Sequence, residues 1–135
     1  MAVFVGDLID RGAQQVETID IARRMRDANS AHIVLGNHEF NAVAWATEDP
    51  DDPGQHLRKH SQKNLDQHEA FLQQVEENSQ SHRELIQWFG EIPLWLDLDG
   101  LRVIHACWHQ KSMDAIAGLL DDRRLTDDLV IAGSR

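Results

Sequence analysis

The sequence predicts one α/β domain over residues 1–135, in which strands alternate with helices. The apolar runs 2–5 and 31–35 are typical of short buried strands. The segment 13–28 between them repeats apolar residues at helical spacing. Such a strand–helix–strand unit normally forms a parallel crossover. A third observation, polar clusters directly after the strands, fits the same class because ligand sites collect at strand ends.

The composition is that of an acidic globular protein. Apolar residues make up 41% of the chain, and the single cysteine, Cys107, excludes an internal disulfide. With 13 Lys+Arg against 23 Asp+Glu, the formal net charge of -10 disfavours nucleic-acid binding. Because the sequence has neither a signal-peptide pattern nor an apolar run of the ~18–20 residues that span a membrane, we expect a cytoplasmic protein without a membrane partner.

The middle of the chain, 47–90, predicts an acidic, mainly helical insert. A short helix through Ala46 precedes it, and two prolines and a glycine in 47–55 predict a surface loop at its start. Residues 56–78 are polar and predict a surface helix. We accordingly expect most of the eight histidines to lie on solvated helices.

A second helix of this insert is predicted to end at Phe89. Its start is predicted from Ser81 and Glu84, which have the spacing of a capping box. The helix should bury Leu85, Ile86, Trp88 and Phe89 on one side.

The last third predicts a hairpin and a short strand. Residues 92–98 and 101–104 flank an Asp-Gly pair, which is a strong hairpin signal. A helix is expected after the hairpin through about Leu120. The apolar residues 129–131 predict the start of another strand.

Three polar segments begin where predicted strands end: GDLIDRG at 6–12, GNHE at 36–39 and HACWH at 105–109. Taken singly, Asp7 and Asn37 fit turn or cap residues, and His105 fits a buried, hydrogen-bonded histidine. Together the three side chains supply the oxygen and nitrogen ligands that suit Mn²⁺, Fe or Zn²⁺. Cys107 is expected to be a small buried residue.

The same segments hold residues suited to phosphate chemistry. Asp10 and Arg11 lie in the loop that begins at Asp7, and an arginine beside a metal can hold phosphate oxygens bidentately. His38 follows Asn37 directly. A histidine paired with a carboxylate such as Asp10 is a good proton donor near pH 7.

GDLIDRG followed by GNHE resembles the signature of the calcineurin-like metallophosphoesterase superfamily. Within it, the fuller motifs are similar to the branch of phosphoprotein phosphatases and bacterial diadenosine tetraphosphatases. The resemblance covers 2–39 well and 92–106 moderately. It implies a metallophosphoesterase-type β-sandwich flanked by helices, which hydrolyses phosphate esters with a water that bridges two divalent metal ions. Mn²⁺ is the metal most expected, and Fe, Zn²⁺ and Ni²⁺ are alternatives.

The resemblance also implies a role for each motif residue. Asp7 would bridge the two metal ions, and Asn37 and His105 would bind the second one. Arg11, together with Asn37, would bind the phosphate.

The proton donor to the leaving group would be His38, with Asp10 as its partner. Substrates of this branch include phosphorylated small molecules, nucleotides and phosphoproteins.

Two family motifs have no counterpart in the chain: a D-x-H on the first strand and a late histidine ligand. We therefore expect a partial member that lacks the first strand and the C-terminal strands. An unpaired sheet edge would make such a chain prone to self-association. The alternative function is that of a non-catalytic or inactive fragment that binds a phosphorylated ligand or partner.

Overall fold

The computed structural model describes all of residues 1–135. It contains four strands and six helices. In chain order these are β1 (Ala2–Phe4), α1 (Gln15–Asp27), β2 (Ala31–Ile33), α2 (Asn37–Ala46), α3 (Gln62–Val75), α4 (Gln80–Gly90), β3 (Trp95–Leu98), β4 (Leu101–Ile104), α5 (Gln110–Ala117) and α6 (Asp127–Ser134). No helix combines the length and the apolar character needed to cross a membrane.

The predicted strand–helix–strand unit is confirmed. β1 pairs with β2 in parallel, with Ala2 opposite Ala31 and Phe4 opposite Ile33, and α1 connects the two strands. Beyond β2 the ladder gains one more hydrogen bond, in which Val34 N–H donates to the Phe4 carbonyl at 3.0 Å. Both strands therefore end side by side, at the loops that carry the first two polar motifs.

The predicted hairpin is confirmed as β3 and β4, which pair antiparallel. Gly100 in its turn has φ +77°, the left-handed conformation that glycine adopts without strain. The hairpin packs against the end of β2 through a small cluster of Val34, Leu96 and Val103. The protein is thus α/β, as predicted, with its strands arranged as two two-stranded sheets.

The helices α1, α2, α3 and α4 surround the main core, a cluster of 18 buried residues. The predicted surface helix over 56–78 is present as α3, and its inner side buries His68, Phe71, Leu72 and Val75. The few apolar residues of this segment fall on one side of the helix and pack into the core, whereas most of its other residues are exposed.

The start of α4 also differs from the predicted capping box. Ser79 caps this helix, because its hydroxyl accepts the His82 backbone N–H at 3.1 Å, and Ser81 lies within the first turn. His82 is only 3% exposed and His68 only 4% exposed, so these two histidines are core residues rather than members of solvated helix faces.

Two further expectations were wrong. Residues 129–131 lie within the helix α6, which Thr126 caps and which buries Val130 against the core. A short apolar run does not distinguish a strand from a buried helix turn, and here the cap and two aspartates in the first turn favour the helix. Cys107 is exposed, because it lies in the bend that leads from β4 to α5.

Candidate functional site

The ends of β1 and β2 touch through two glycines. A Cβ atom on Gly6 would overlap the backbone of Gly36, and a Cβ on Gly36 would lie 2.5 Å from the Asp7 amide nitrogen. Gly6 also has φ +87°, which disfavours any other residue there. The motifs GDLIDRG and GNHE therefore begin in direct backbone contact, and any side chain at either glycine would separate them.

Glu39 joins the two motifs through a buried carboxylate. The residue is fully buried. One of its oxygens accepts the backbone N–H of Asp7 at 2.9 Å and of Gly36 at 3.0 Å, and the other accepts the N–H of Leu8 at 2.6 Å. Two of these charge-assisted hydrogen bonds hold the first loop against the start of α2, and the third fixes Gly36 at the beginning of that helix.

Three predicted metal ligands converge at this junction. Nε2 of His105 lies 2.9 Å from Oδ1 of Asn37 and 3.4 Å from Oδ2 of Asp7. Asp7 follows β1, Asn37 begins α2, and His105 directly follows β4. The hairpin thus carries its histidine to the two loops, as the positions of the clusters at strand ends predicted.

The hydrogen bond on the far side of the His105 ring determines its tautomer. Nδ1 faces the Val5 carbonyl oxygen, which can only accept, so Nδ1 carries the proton. In the neutral ring, Nε2 then turns a lone pair toward the oxygens of Asn37 and Asp7. A cation placed among these three atoms would be coordinated by that lone pair and by the two oxygens.

These donors fit a divalent cation by their chemistry. One carboxylate, one amide oxygen and one imidazole nitrogen form a mixed set that suits Mn²⁺, Fe or Zn²⁺. A ring that donates Nδ1–H to a backbone carbonyl has the second-shell arrangement typical of metal-binding histidines. Among His, Cys, Asp and Glu side chains alone, no group of three or more is arranged as a metal site. The donor set therefore depends on the amide of Asn37.

Beside these donors lies the pair predicted for proton transfer. Nδ1 of His38 is 2.8 Å from Oδ2 of Asp10, whose side chain is 5% exposed. The other oxygen of Asp10 contacts Nδ1 of His68 on α3 at 2.7 Å. One buried carboxylate therefore serves two histidines that come from different helices.

The loop conformation that presents Asp10 is supported from α1. Asp10 has φ +70°, an uncommon conformation for this residue type. Its backbone N–H donates to Oε1 of Gln15, whose amide nitrogen in turn donates to the Gly12 carbonyl at 3.1 Å. Gln15 is 1% exposed, so a buried amide holds both ends of the turn.

Arg11, the predicted phosphate ligand, is exposed and makes no hydrogen bond or ion pair within the chain. Its guanidinium is therefore not neutralised by any carboxylate of this acidic protein. The structure brings Asp7, Asn37 and His105 together, and it brings His38 to Asp10, whereas Arg11 extends from the same loop into solvent.

Sequence reasoning missed three residues of this site: Glu39, Gln15 and His68. Glu39 was detectable from the sequence, because it lies three positions after Gly36, where the helix α2 starts. A glutamate at this spacing is the second residue of a capping box. Gln15 and His68 gave no local signal, because their partners are loop atoms brought to them only by the fold.

Comparison with known proteins gives a consistent result. The family model of calcineurin-like phosphoesterases matches residues 1–132. The chain is 30% identical over 103 residues to a protein of Vibrio cholerae named symmetrical bis(5'-nucleosyl)-tetraphosphatase, covering 76% of this chain and 32% of the relative. A protein of the same name from Janthinobacterium is 33% identical over 105 residues, with 77% and 32% covered. No solved structure matches the chain significantly.

Proposed function

This chain belongs to the calcineurin-like phosphoesterase family, and we propose that it carries core catalytic residues of a metal-dependent phosphoesterase. The chain spans about a third of the length of the curated relatives that it matches. One observation carries the proposal: oxygens of Asp7 and Asn37 both lie within 3.4 Å of His105 Nε2. The hydrogen-bonded pair of His38 and Asp10 lies next to them.

In the proposed enzyme, Asp7, Asn37 and His105 hold divalent metal ions, with Mn²⁺ the favoured metal and Fe, Zn²⁺ or Ni²⁺ as alternatives. Bound ions of this kind would supply an activated water and neutralise charge on the attacked phosphate. Contacts within the chain orient these donors, because the Val5 carbonyl fixes the His105 tautomer and Glu39 fixes the loop that carries Asp7.

His38 donates the proton to the leaving oxygen. The Asp10 carboxylate holds the His38 proton on Nδ1, so Nε2 is the nitrogen left for the substrate. The His38 side chain remains 21% exposed, so a substrate can reach it.

Arg11 binds the phosphate, together with the Asn37 amide. A guanidinium without an internal partner is free to make the two parallel hydrogen bonds that a phosphate offers. The names of the relatives favour dinucleoside polyphosphates as the substrate class. Other phosphorylated small molecules and phosphoproteins are the competing classes, and the cytoplasm is the proposed location.

The proposal is tested with the 135-residue chain, Mn²⁺ and two substrates, para-nitrophenyl phosphate and diadenosine tetraphosphate. We expect His38→Ala to lower the hydrolysis rate by at least ~100-fold, the usual contribution of a general acid. The control is His109→Ala, which changes an exposed histidine outside the site. Hydrolysis that survives His38→Ala and Asp7→Asn unchanged would overturn the proposal. Phosphate binding without hydrolysis would favour the non-catalytic alternative.

We also propose that the chain self-associates through β1. This strand pairs only with β2, so its other edge offers unpaired backbone groups. Val5 follows β1 at the end of that edge; its carbonyl is bonded to His105, and its side chain is 51% exposed. In sedimentation experiments we expect concentration-dependent dimers that Val5→Lys abolishes and Ile21→Lys, an exposed position on α1, does not. A monomer at every concentration would contradict this.

A further inference from the structure

The Asp10 carboxylate is held on both of its oxygens by histidines. We propose that His68, on α3, is a positioning residue of the site: it orients the Asp10 carboxylate, which in turn holds His38 with Nε2 toward the substrate. The proposal rests on the proposed function, since it gives His68 a part in the same proton transfer.

The geometry explains why one histidine is not enough to orient the carboxylate. Oδ2 accepts from His38 at 2.8 Å and Oδ1 accepts from His68 at 2.7 Å. A carboxylate held at one oxygen can rotate about its Cβ–Cγ bond and move that oxygen out of line. Held at both, it has one orientation. His68 therefore fixes the direction from which Oδ2 meets the His38 ring.

An ionised carboxylate accepts but never donates, so it assigns the proton to Nδ1 in both rings. For His38 this leaves Nε2 as the nitrogen that faces away from Asp10. Without His68 the Asp10 carboxylate is free to turn away from His38, which weakens the constraint on the tautomer of the His38 ring. Free neutral imidazole populates both tautomers. Only the tautomer with its proton on Nδ1 keeps the bond to Asp10, and it leaves Nε2 unprotonated and available to the substrate.

His68 itself is too enclosed to be the proton donor. Its side chain is 5% exposed and its ring packs between Trp45, at a centroid distance of 5.6 Å, and Phe71, at 5.0 Å. Its Nε2 is buried and has no hydrogen-bond partner. The contact with Asp10 is the only hydrogen bond of the ring.

The unpartnered Nε2 of His68 argues for a positioning role over packing alone. A buried polar atom without a partner is destabilising, and phenylalanine or leucine at position 68 would not carry that cost. The gain that histidine brings at this position is the single bond from Nδ1 to Asp10. Through this bond α3 contacts the pair of Asp10 and His38, although no sequence motif marks the helix.

The experiment observes the His38 ring directly, in the metal-free 135-residue chain, by ¹⁵N NMR of the imidazole nitrogens at about pH 8, above the ordinary imidazole pKa of about 6.5. Four variants are compared with the unaltered chain. His68→Phe and His68→Leu remove the donor and keep an apolar side chain, so either suffices if the other does not fold. His68→Asn retains a donor, because its side-chain nitrogen takes the place of Nδ1. Val75→Ala removes buried volume from the same helix without touching Asp10.

In the unaltered chain and in His68→Asn we expect His38 Nδ1 to resonate as a protonated nitrogen and Nε2 as an unprotonated one. In His68→Phe or His68→Leu both resonances should shift toward the average of the two tautomers, whereas Val75→Ala should leave them in place. Unchanged His38 resonances in the Phe and Leu variants, or an equal shift in Val75→Ala, would overturn the positioning role. Because no metal or substrate is present, failure of hydrolysis overturns the proposed function alone and leaves this result intact.

Discussion

The carboxylate of Glu39 accepts the backbone N–H of Asp7 at 2.9 Å, although the two residues are 32 positions apart. The same side chain accepts two further N–H groups and is fully buried. Asp7 lies in the loop after β1 and Glu39 lies in α2, so no helix or strand contains both residues. This carboxylate is therefore one of the links, beside the bond between His38 and Asp10, that fix the first loop relative to the start of α2.

Replacing that carboxylate should be costly for stability. Glu39→Gln keeps the shape of the side chain but turns an amide NH₂ group toward backbone N–H donors. Loss of a hydrogen bond to a buried charged group costs about 1.5–3 kcal/mol, and we expect a decrease in the free energy of unfolding of at least that size in urea titrations. The control is Glu48→Gln, whose exposed carboxylate accepts one N–H from Gly54. Equal urea midpoints for the two variants would contradict the role of Glu39.

The glycine contact predicts a steric effect that is independent of backbone conformation. Gly36 has φ -93°, which alanine adopts freely, so the main effect of Gly36→Ala is the contact of the added Cβ with Asp7 and Glu39, beside the smaller cost of alanine at a helix N-cap. We expect a loss of about 3 kcal/mol, the upper range for overpacking. Gly90→Ala, at the end of α4 with nothing within 4 Å of the added Cβ, should instead leave stability unchanged or raise it. Thermal unfolding of the two variants makes the comparison, and similar melting temperatures would refute the steric argument.

The buried histidine of α4 makes stability depend on pH. Burial lowers the pKa of His82 below its ordinary value of 6.5. Below pH 6.5 the unfolded chain therefore binds a proton that the folded chain does not, so this residue destabilises the fold as pH falls from 6.5 toward its folded pKa. His82→Asn removes the titration and keeps an acceptor for the Asn78 N–H, which Nδ1 accepts at 3.1 Å. The loss of stability between about pH 7.5 and 5.5 should be smaller in this variant. A loss as large as in the unaltered chain, or an equal reduction in His109→Asn, would exclude His82 as the cause.

The proposed metal ligands predict a specific change in affinity. Asp7→Asn should weaken Mn²⁺ binding at least ~10-fold in calorimetric titrations, since even outer-shell partners of metal ligands contribute that much. Asp97→Asn is the matched control, because it removes one carboxylate from the exposed face of β3, where Asp97 pairs with Arg102 at 3.5 Å. If both variants bind Mn²⁺ as the unaltered chain does, Asp7 is not a ligand.

Local patterns in the sequence were sufficient for most of the fold. The strands at 2–5 and 31–35 and the hairpin about Gly100 each depend on neighbours in the chain, and each was found. The helix α6 was missed because the three apolar residues 129–131 carry no period long enough to separate helix from strand. The burial of His68 on α3 was not predicted, because a histidine on a mostly polar helix carries no local signal of burial.

The site divides in the same way. The convergence of Asp7, Asn37 and His105 followed from polar residues at strand ends, and the pairing of His38 with Asp10 followed from their motifs. The partner on the other oxygen of Asp10 did not, because His68 lies 58 positions away on a helix without a motif. Tertiary hydrogen bonds of this kind leave no trace in local periodicity.

The bond between His105 and the Val5 carbonyl closes a loop of 100 residues, whereas Asp7 and His38 are 31 positions apart. Closing a longer loop costs more conformational entropy, and contacts between distant residues form more slowly. We therefore expect β1, α1, β2 and the start of α2 to assemble before the hairpin docks. The oxygen donors would be in position first, and the imidazole of His105 would join them as a late event of folding.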